Sequence, residues 1–444
     1  MHTIATAQSF DNFPLWVLFI SVAWVIISIA RFKMHPFLAM MSGAVLVGLL
    51  SGPLPEPTVE NKGLFHNRVD LQDTDVSYSN LSLAVKWSLL GFGNTAGGIG
   101  LIIALAAIVG TCMMKSGAAE RVVRNLLSIF GAKRAGLVLL LSGFLLSIPV
   151  FFDTVFFLLI PLARAMAIRA GERYLYFVMA MAGAGAITHS MVPPTPGPLM
   201  IAEFLQIELG YALVAGLLAS LPLAVLVLLT AGWFEKKYAY PMREVAGISS
   251  RDLEDTLAKD IKDLPPLFLS YLPILLPVVL ISFISFLKVL GGQGLELGAL
   301  TPSLENANFR ILSFLGEPNV AMSLAALVSF YLLIRQSNSD TNGEKPAMHK
   351  ILEAPLFTAG SIILITGAGG AYGGMIRLSG VGDVIAHHAT HMDLSYILLA
   401  WGITAFVRIA QGSATVAMIT GAGLMASIIG DGSDLPYHPA YVFL

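Results

Sequence analysis

Apolar runs of about 20 residues recur along this chain, separated by short polar segments that carry most of the charge. A helix of that length crosses the ~30 Å hydrocarbon core of a bilayer. Residues 14–31 and Pro36–Leu50 form the first two runs, with Arg31 and Lys33 in the turn between them. Lys and Arg beside short loops mark the cytoplasmic face, so the N-terminus is predicted outside and residues 53–80, polar and leaning acidic, form an outside loop. Residues 99–114 then cross inward to Lys115, Arg121 and Arg124. Residues 211–232 return inward to Lys236 and Lys237, 267–288 cross outward, 319–334 inward to Arg335, and 352–372 outward.

Three stretches break this rhythm. Lys133–Arg173 is almost wholly apolar between Arg134 and Arg164, with one acid, Asp153, near its middle and basic residues at both ends. A segment basic at both ends enters and leaves on one face, which predicts a re-entrant hairpin over 134–169 with its non-helical tip at Ile148–Thr154. Residues 174–205 read as a helix broken at Thr188–Pro198, because Pro193, Pro194, Pro196 and Pro198 each lack an N–H and clash with the preceding turn. Residues 394–430 form a second apolar stretch, broken over Arg408–Thr415. Irregular backbone at membrane depth survives only inside protein or beside a water-filled cavity. Interrupted spans of this kind point to a transporter's binding site.

The two halves resemble each other. Residues 110–127 align with 369–388, placing Ser116-Gly117 over Ser379-Gly380, and Asp153-Thr154-Val155 falls over Ala414-Thr415-Val416. Charge bias gives the two copies opposite orientation, one hairpin opening inside and the other outside. The predicted fold is therefore an all-α polytopic membrane protein: an inverted repeat with two re-entrant hairpins and broken helices. Its expected parts are N-terminal helices with an outside loop (1–98), a first repeat (99–234), a cytoplasmic linker (235–266), scaffold helices (267–335) and a second repeat (352–444). Inverted repeats hold their solute between them near the midplane.

Composition narrows the class without changing it. The 444 residues are 56% hydrophobic and 12% charged, with a mean hydropathy of +0.77. A net charge of −2 gives no electrostatic footprint for nucleic acid. The lone Cys112 excludes an internal disulfide and a thiol zinc site. There is no H-E-x-x-H pair and no G-x-S-x-G elbow, so no hydrolase chemistry is signalled. The run Gly91–Gly98 lacks Rossmann spacing and reads as close helix packing or a share in solute binding.

Several motifs resemble the gluconate permease (GntP) family of bacterial carboxylate:proton symporters over roughly residues 31–444. They are Lys115–Arg121, Pro149–Asp153, His189–Pro198, Phe314-Leu315-Gly316, Thr366–Gly370 and Arg408–Ala417. The resemblance implies membership of the ion-transporter superfamily, an elevator-type transport domain moving past a scaffold, and substrates such as gluconate, other sugar acids or D-serine. Elevator folds often dimerise through the scaffold, so a homodimer is among the expected partners. Two departures stand out. Thr195 occupies a position where the family often has His, so any proton role of that His is absent here. The family's closing segment, with an Asn-Asp-Ser-Gly-Phe-Trp-like motif, has no counterpart before Leu444, and the chain is expected to be a truncated member with transport in question.

The candidate site follows from the breaks. Asp153 is costly at membrane depth; it can pair with Arg408, carry a proton coupled to the solute, or bind solute hydroxyls. The planar fork of Arg408 suits a carboxylate, although a structural pair or snorkelling to an interface would also use it. Gln411, Gly412, Ser413 and Thr415 form a small polar tip able to hold an anion or to bridge helices. His189 is a proton relay or a helix-end hydrogen bonder. Phe152, Thr154 and Pro194 complete the expected binding set. The Phe residues at 151, 152, 156 and 157 are read mainly as packing, and His387, His388 and His391 face outside water. The expected activity is proton-coupled import of gluconate or a related sugar-acid anion across a bacterial inner membrane, with no cofactor. Sodium coupling, or a D-serine or hydroxy-acid substrate, is the alternative.

Overall fold

The computed structural model describes residues 13–55, 79–170, 173–238, 261–292, 306–339, 348–381, 395–411 and 414–429, with the isolated positions 240, 302, 384 and 442. Helices account for all regular structure among them: α1 (Phe13–Ala30), α2 (Pro36–Leu50), α3 (Asn80–Lys115), α4 (Ala118–Phe130), α5 (Ala135–Leu146), α6 (Phe152–Ala170), α7 (Tyr174–Met191), α8 (Pro196–Phe204), α9 (Leu209–Tyr238), α10 (Leu267–Gly292), α11 (Ala307–Leu315), α12 (Pro318–Ser339), α13 (Met348–Leu378), α14 (Tyr396–Gln411) and α15 (Ala414–Ile429). Among the described residues, seven spans are long and apolar enough to cross a membrane, counting the α7–α8 pair as one. The polytopic reading of the apolar runs holds.

The breaks fall where sequence places them but are narrower. α5 stops before Ser147 because Pro149 lacks an N–H and disfavours helical backbone at Ile148. The non-helical stretch is Ser147–Phe151, so Phe152, Asp153 and Thr154 belong to the first turn of α6 and not to the predicted tip. α7 runs through Thr188 and His189 to Met191, and only Val192–Thr195 is irregular, including a cis bond between Pro193 and Pro194. Pro196 and Pro198 do not prolong the break, because the first turn of a helix has no use for their missing N–H groups. Likewise Arg408 to Gln411 complete α14, and Ala414 opens α15. Gly412 and Ser413, the expected centre of that tip, lie outside the described residues, as do 56–78, 241–260 and the three histidines at 387, 388 and 391.

The chain divides into two compact units. The first comprises residues 1–100, 203–206 and 362–443. Val25, Met40, Val47, Ala84, Tyr372 and Met375 are among its buried core. The Tyr372 hydroxyl is 2.9 Å from Ser21 Oγ, so a buried polar pair links α1 to α13. The glycine run 91–98 is helical throughout, inside a 36-residue helix that begins at Asn80 and not at residue 99. A Cβ on Gly91 would come 3.1 Å from Ala371 Cα, and one on Gly373 would come 3.0 Å from Gly423 Cα. Small residues let membrane helices approach backbone to backbone where no hydrophobic force drives them together.

The second unit comprises residues 101–202 and 207–361. α7 is its hub, packed by α5, α6 and α9. Leu140, Phe144, Ala180, Ala184 and Ala224 form one apolar cluster there. α4 meets the α5 segment at 108°. It carries Arg121, Arg124 and Glu120, with Arg124 paired to Glu120 one turn away. Glu235 at the end of α9 accepts the Tyr176 backbone N–H at 2.8 Å, a carboxylate at a helix N-terminus. Arg164, taken from sequence as a flanking charge, is 7% exposed within α6.

Candidate functional site

The second unit brings its two non-helical breaks together. Ile148 from the first and Val192 from the second share one apolar cluster with Leu213, Ile281 and Ala321. Gly110 on α3 leaves room for Val150, whose Cγ1 would lie 2.7 Å from an added Cβ. Gly185 on α7 seats the start of α6: its added Cβ would meet Phe152 Cδ2 at 2.9 Å and Ser147 Oγ at 3.0 Å. One helical turn on, the His189 ring meets the Phe151 ring edge to face, centroids 6.5 Å apart at 78°. The breaks are thus buried inside protein, as backbone without helical hydrogen bonds requires at membrane depth.

The polar groups here are few and mostly spoken for. Thr188 Oγ1 donates to Ala184 O at 3.0 Å, and Thr195 Oγ1 donates to Val192 O at 2.7 Å, closing the second break on itself. Ser147 differs. It is fully buried, and none of the described residues hydrogen-bonds its Oγ. Sequence reading passed over it, since a lone Ser in an apolar run most often bonds its own helix; its place just before Pro149 was the signal available.

The predicted residues distribute as follows. Phe152 and Thr154 are half-buried at the start of α6, His189 is half-buried on α7, and Pro194 is buried in the second break. Asp153 lies on α6, and its side chain is outside the described set. These residues come from two helices and one break of a single unit. Arg408, Gln411 and Thr415 belong to the first unit. Arg408 is exposed in the last turn of α14, and Thr415 is half-buried in the first turn of α15. Among the described residues no three His, Cys, Asp or Glu side chains gather as a metal site.

Membrane-length helices with buried, proline-bearing breaks make a polytopic membrane protein and point to a solute transporter. Comparison with known proteins gives the family. A model described as GntP family permease matches residues 81–438. The chain is 34% identical over 421 residues to an uncharacterized permease of Haemophilus influenzae, covering 94% of this chain and 78% of that one. It is 33% identical over 425 residues to a gluconate permease of Pseudomonas aeruginosa, covering 95% and 84%. It is 29% identical over 438 residues to the D-serine transporter DsdX of Escherichia coli, covering 96% and 84%. The chain belongs to the GntP family of permeases, and it is a membrane transport protein, not an enzyme.

Proposed function

We propose that this permease imports gluconate or a related small sugar-acid anion by proton symport across the bacterial inner membrane. The observation that carries this reading is the convergence of the Ser147–Phe151 and Val192–Thr195 breaks near His189, with the Ser147 hydroxyl buried and bonded to none of the described residues. A buried hydroxyl without a partner costs about 1–3 kcal/mol, and a hydroxylated solute would offset that. Arg408 with Gln411, Gly412, Ser413 and Thr415 is assigned to the solute carboxylate, and Phe152, Thr154 and Pro194 are assigned to solute binding in their own unit. Asp153 or His189 carries the proton. The gluconate permease relative supports the substrate class.

The rest of the proposal concerns motion. α5 has 12 residues, about 18 Å of helix, and so stops short of a ~30 Å core. That length favours a re-entrant hairpin. α14 and α15, 16 residues each and packed together, fit a second hairpin. The two long helices α3 and α13 each end in Ser-Gly with glycine at positive φ, +76° at Gly117 and +72° at Gly380. This shared elbow supports an internal repeat; that the repeat is inverted, the carrier elevator-type and the protein a homodimer is what the family resemblance implies.

The D-serine transporter among the relatives favours one second reading, a hydroxylated amino acid as solute. The test is a thermal-shift and proteoliposome-uptake screen of gluconate, other sugar acids, hydroxy acids and D-serine on the purified chain, with Arg408→Gln alongside. Stabilisation and uptake of a sugar acid, lost in Arg408→Gln and abolished by a protonophore, support the proposal. Near-normal uptake by Arg408→Gln overturns the carboxylate assignment, and dependence on sodium overturns the coupling ion.

A further inference from the structure

A polar cleft of about 290 Å³ opens in the second unit where α10 begins and α12 ends, far in sequence from either break. Its lining includes Lys262, Asp263, Pro266, Leu332, Arg335 and Gln336. Gln336 Nε2 donates to Asp263 O at 3.0 Å and ties the two helix ends together. Gly117 in the α3–α4 elbow packs behind it, its added Cβ 3.0 Å from Leu264 Cδ2. The cleft is therefore part of the packed fold and not a gap between loose ends.

Its depth is set by the helices. The apolar window of α10 starts at Leu267 and that of α12 ends at Gln336, so the cleft sits at the edge of the hydrocarbon, at the level of lipid phosphates. Basic-residue placement puts that edge on the cytoplasmic side. Lys262 and Arg335 are both exposed there, and among the described lining residues Asp263 is the one acid. Below Arg335, at successive four-residue steps on the same face of α12, come Tyr331, 54% exposed, and Leu327, 65% exposed. Phe268 in the first turn of α10 is 74% exposed. A cation, then an amphipathic ring, then an aliphatic side chain is the order of layers in a phospholipid: phosphate, glycerol, acyl chain.

We propose that this cleft binds the phosphate headgroup of an anionic phospholipid, with an acyl chain along the Leu327–Tyr331–Arg335 stripe. A free anion would use the cations and ignore the stripe; a zwitterionic lipid would use the stripe and gain little from the cations. The anionic lipid uses both. A Lys or Arg near the membrane surface is worth about fivefold in affinity for an anionic lipid, so losing both costs about 25-fold.

The experiment uses the purified full chain in detergent and native mass spectrometry with phosphatidylglycerol or phosphatidylcholine of matched acyl chains. The wild type should retain phosphatidylglycerol preferentially. Lys262→Gln with Arg335→Gln should lower that retention by at least tenfold, Asp263→Asn should raise it, and Leu327→Gln should lower retention of both lipids. All four positions lie at the surface or at a helix end, and an unchanged melting temperature without lipid confirms that the variants fold. Equal retention of the two lipids, or unchanged phosphatidylglycerol retention in the double variant, overturns the proposal. So does displacement of the lipid by inorganic phosphate at equal concentration, which would make the cleft an anion site alone.

Discussion

Phe151 and His189 meet edge to face, their ring centroids 6.5 Å apart at 78°. One ring comes from the irregular backbone between α5 and α6, the other from the last turn of α7 before its own break. An edge-to-face pair of this kind contributes about 0.5–1.5 kcal/mol beyond its buried area. It fixes the imidazole against the break between α5 and α6, so a change in the charge of His189 is felt at that break.

Replacing His189 with Gln should separate coupling from binding. In proteoliposomes the variant is expected to keep substrate counterflow, which needs no net proton movement. It should lose most of its accumulation against a gradient, by tenfold or more. Full accumulation with an ordinary response to protonophore would remove His189 from the proton route and leave Asp153.

Ser147→Ala should have opposite effects on fold and affinity. The hydroxyl is buried with none of the described residues bonded to it. Removing an unmatched group is neutral or mildly stabilising, by up to about 1 kcal/mol. If the hydroxyl waits for a solute hydroxyl, the same change should weaken sugar-acid binding about fivefold to tenfold, the worth of one hydrogen bond. A melting temperature that falls, with unchanged affinity, would give Ser147 a structural role.

Much of this was legible in the chain, and what was not has a physical cause. Hydropathy and charge placed the spans because a bilayer leaves the backbone few options. Proline placed the second break of the second unit, since a missing N–H is a local fact, whereas the first was inferred from the basic residues at both ends of its apolar segment. Width was not local. Thr188 and His189 stay helical because Pro193 bars helical backbone only at Val192, the residue directly before it, and Phe152–Thr154 become helical as soon as Pro149 is passed. Partners were still less visible. Nothing near Gly185 in sequence announces that Ser147 and Phe152 seat on it, because that contact is made by the approach of two helices. The exposed setting of Arg408 in α14 was equally hidden in a run that reads as uniformly apolar.

Two glycines where α7 meets α5 and the start of α6 should fail in different ways. An alanine Cβ at Gly143 would lie 2.7 Å from Met181 O, a backbone carbonyl that cannot turn aside, so α5 must part from α7. At Gly185 the obstacles are the Phe152 ring and the Ser147 hydroxyl, which are side chains and can move. Overpacking costs about 1–3 kcal/mol, and Gly143→Ala should sit at the upper end, with a clear fall in melting temperature. Gly185→Ala should melt close to wild type yet transport poorly, because the break residues have shifted. Equal melting losses in both would mean that the Phe152 side chain is held as rigidly as backbone.

The two Ser-Gly elbows offer an energetic test of the internal repeat. Gly117 and Gly380 hold φ of +76° and +72°, and in each elbow the preceding serine hydroxyl turns back to a carbonyl three residues earlier, Met113 or Ile376. An L-residue in this left-handed region costs about 1–2 kcal/mol, lessened by the smaller entropy of an unfolded alanine. Around Gly380 an added Cβ meets none of the described residues within 4 Å, so Gly380→Ala reads mainly the backbone. Gly117→Ala adds only the far end of Leu264, 3.0 Å away and able to rotate. Denaturant or thermal melts should therefore give losses of about 1 kcal/mol for each, with Gly117→Ala equal or slightly larger, and Asn at either position should cost less than Ala because it tolerates positive φ. Two elbows with the same sequence, the same backbone and the same response would be one device used twice. A stabilising Gly380→Ala would show that the second elbow is not held left-handed, and the case for repetition would then rest on sequence similarity alone.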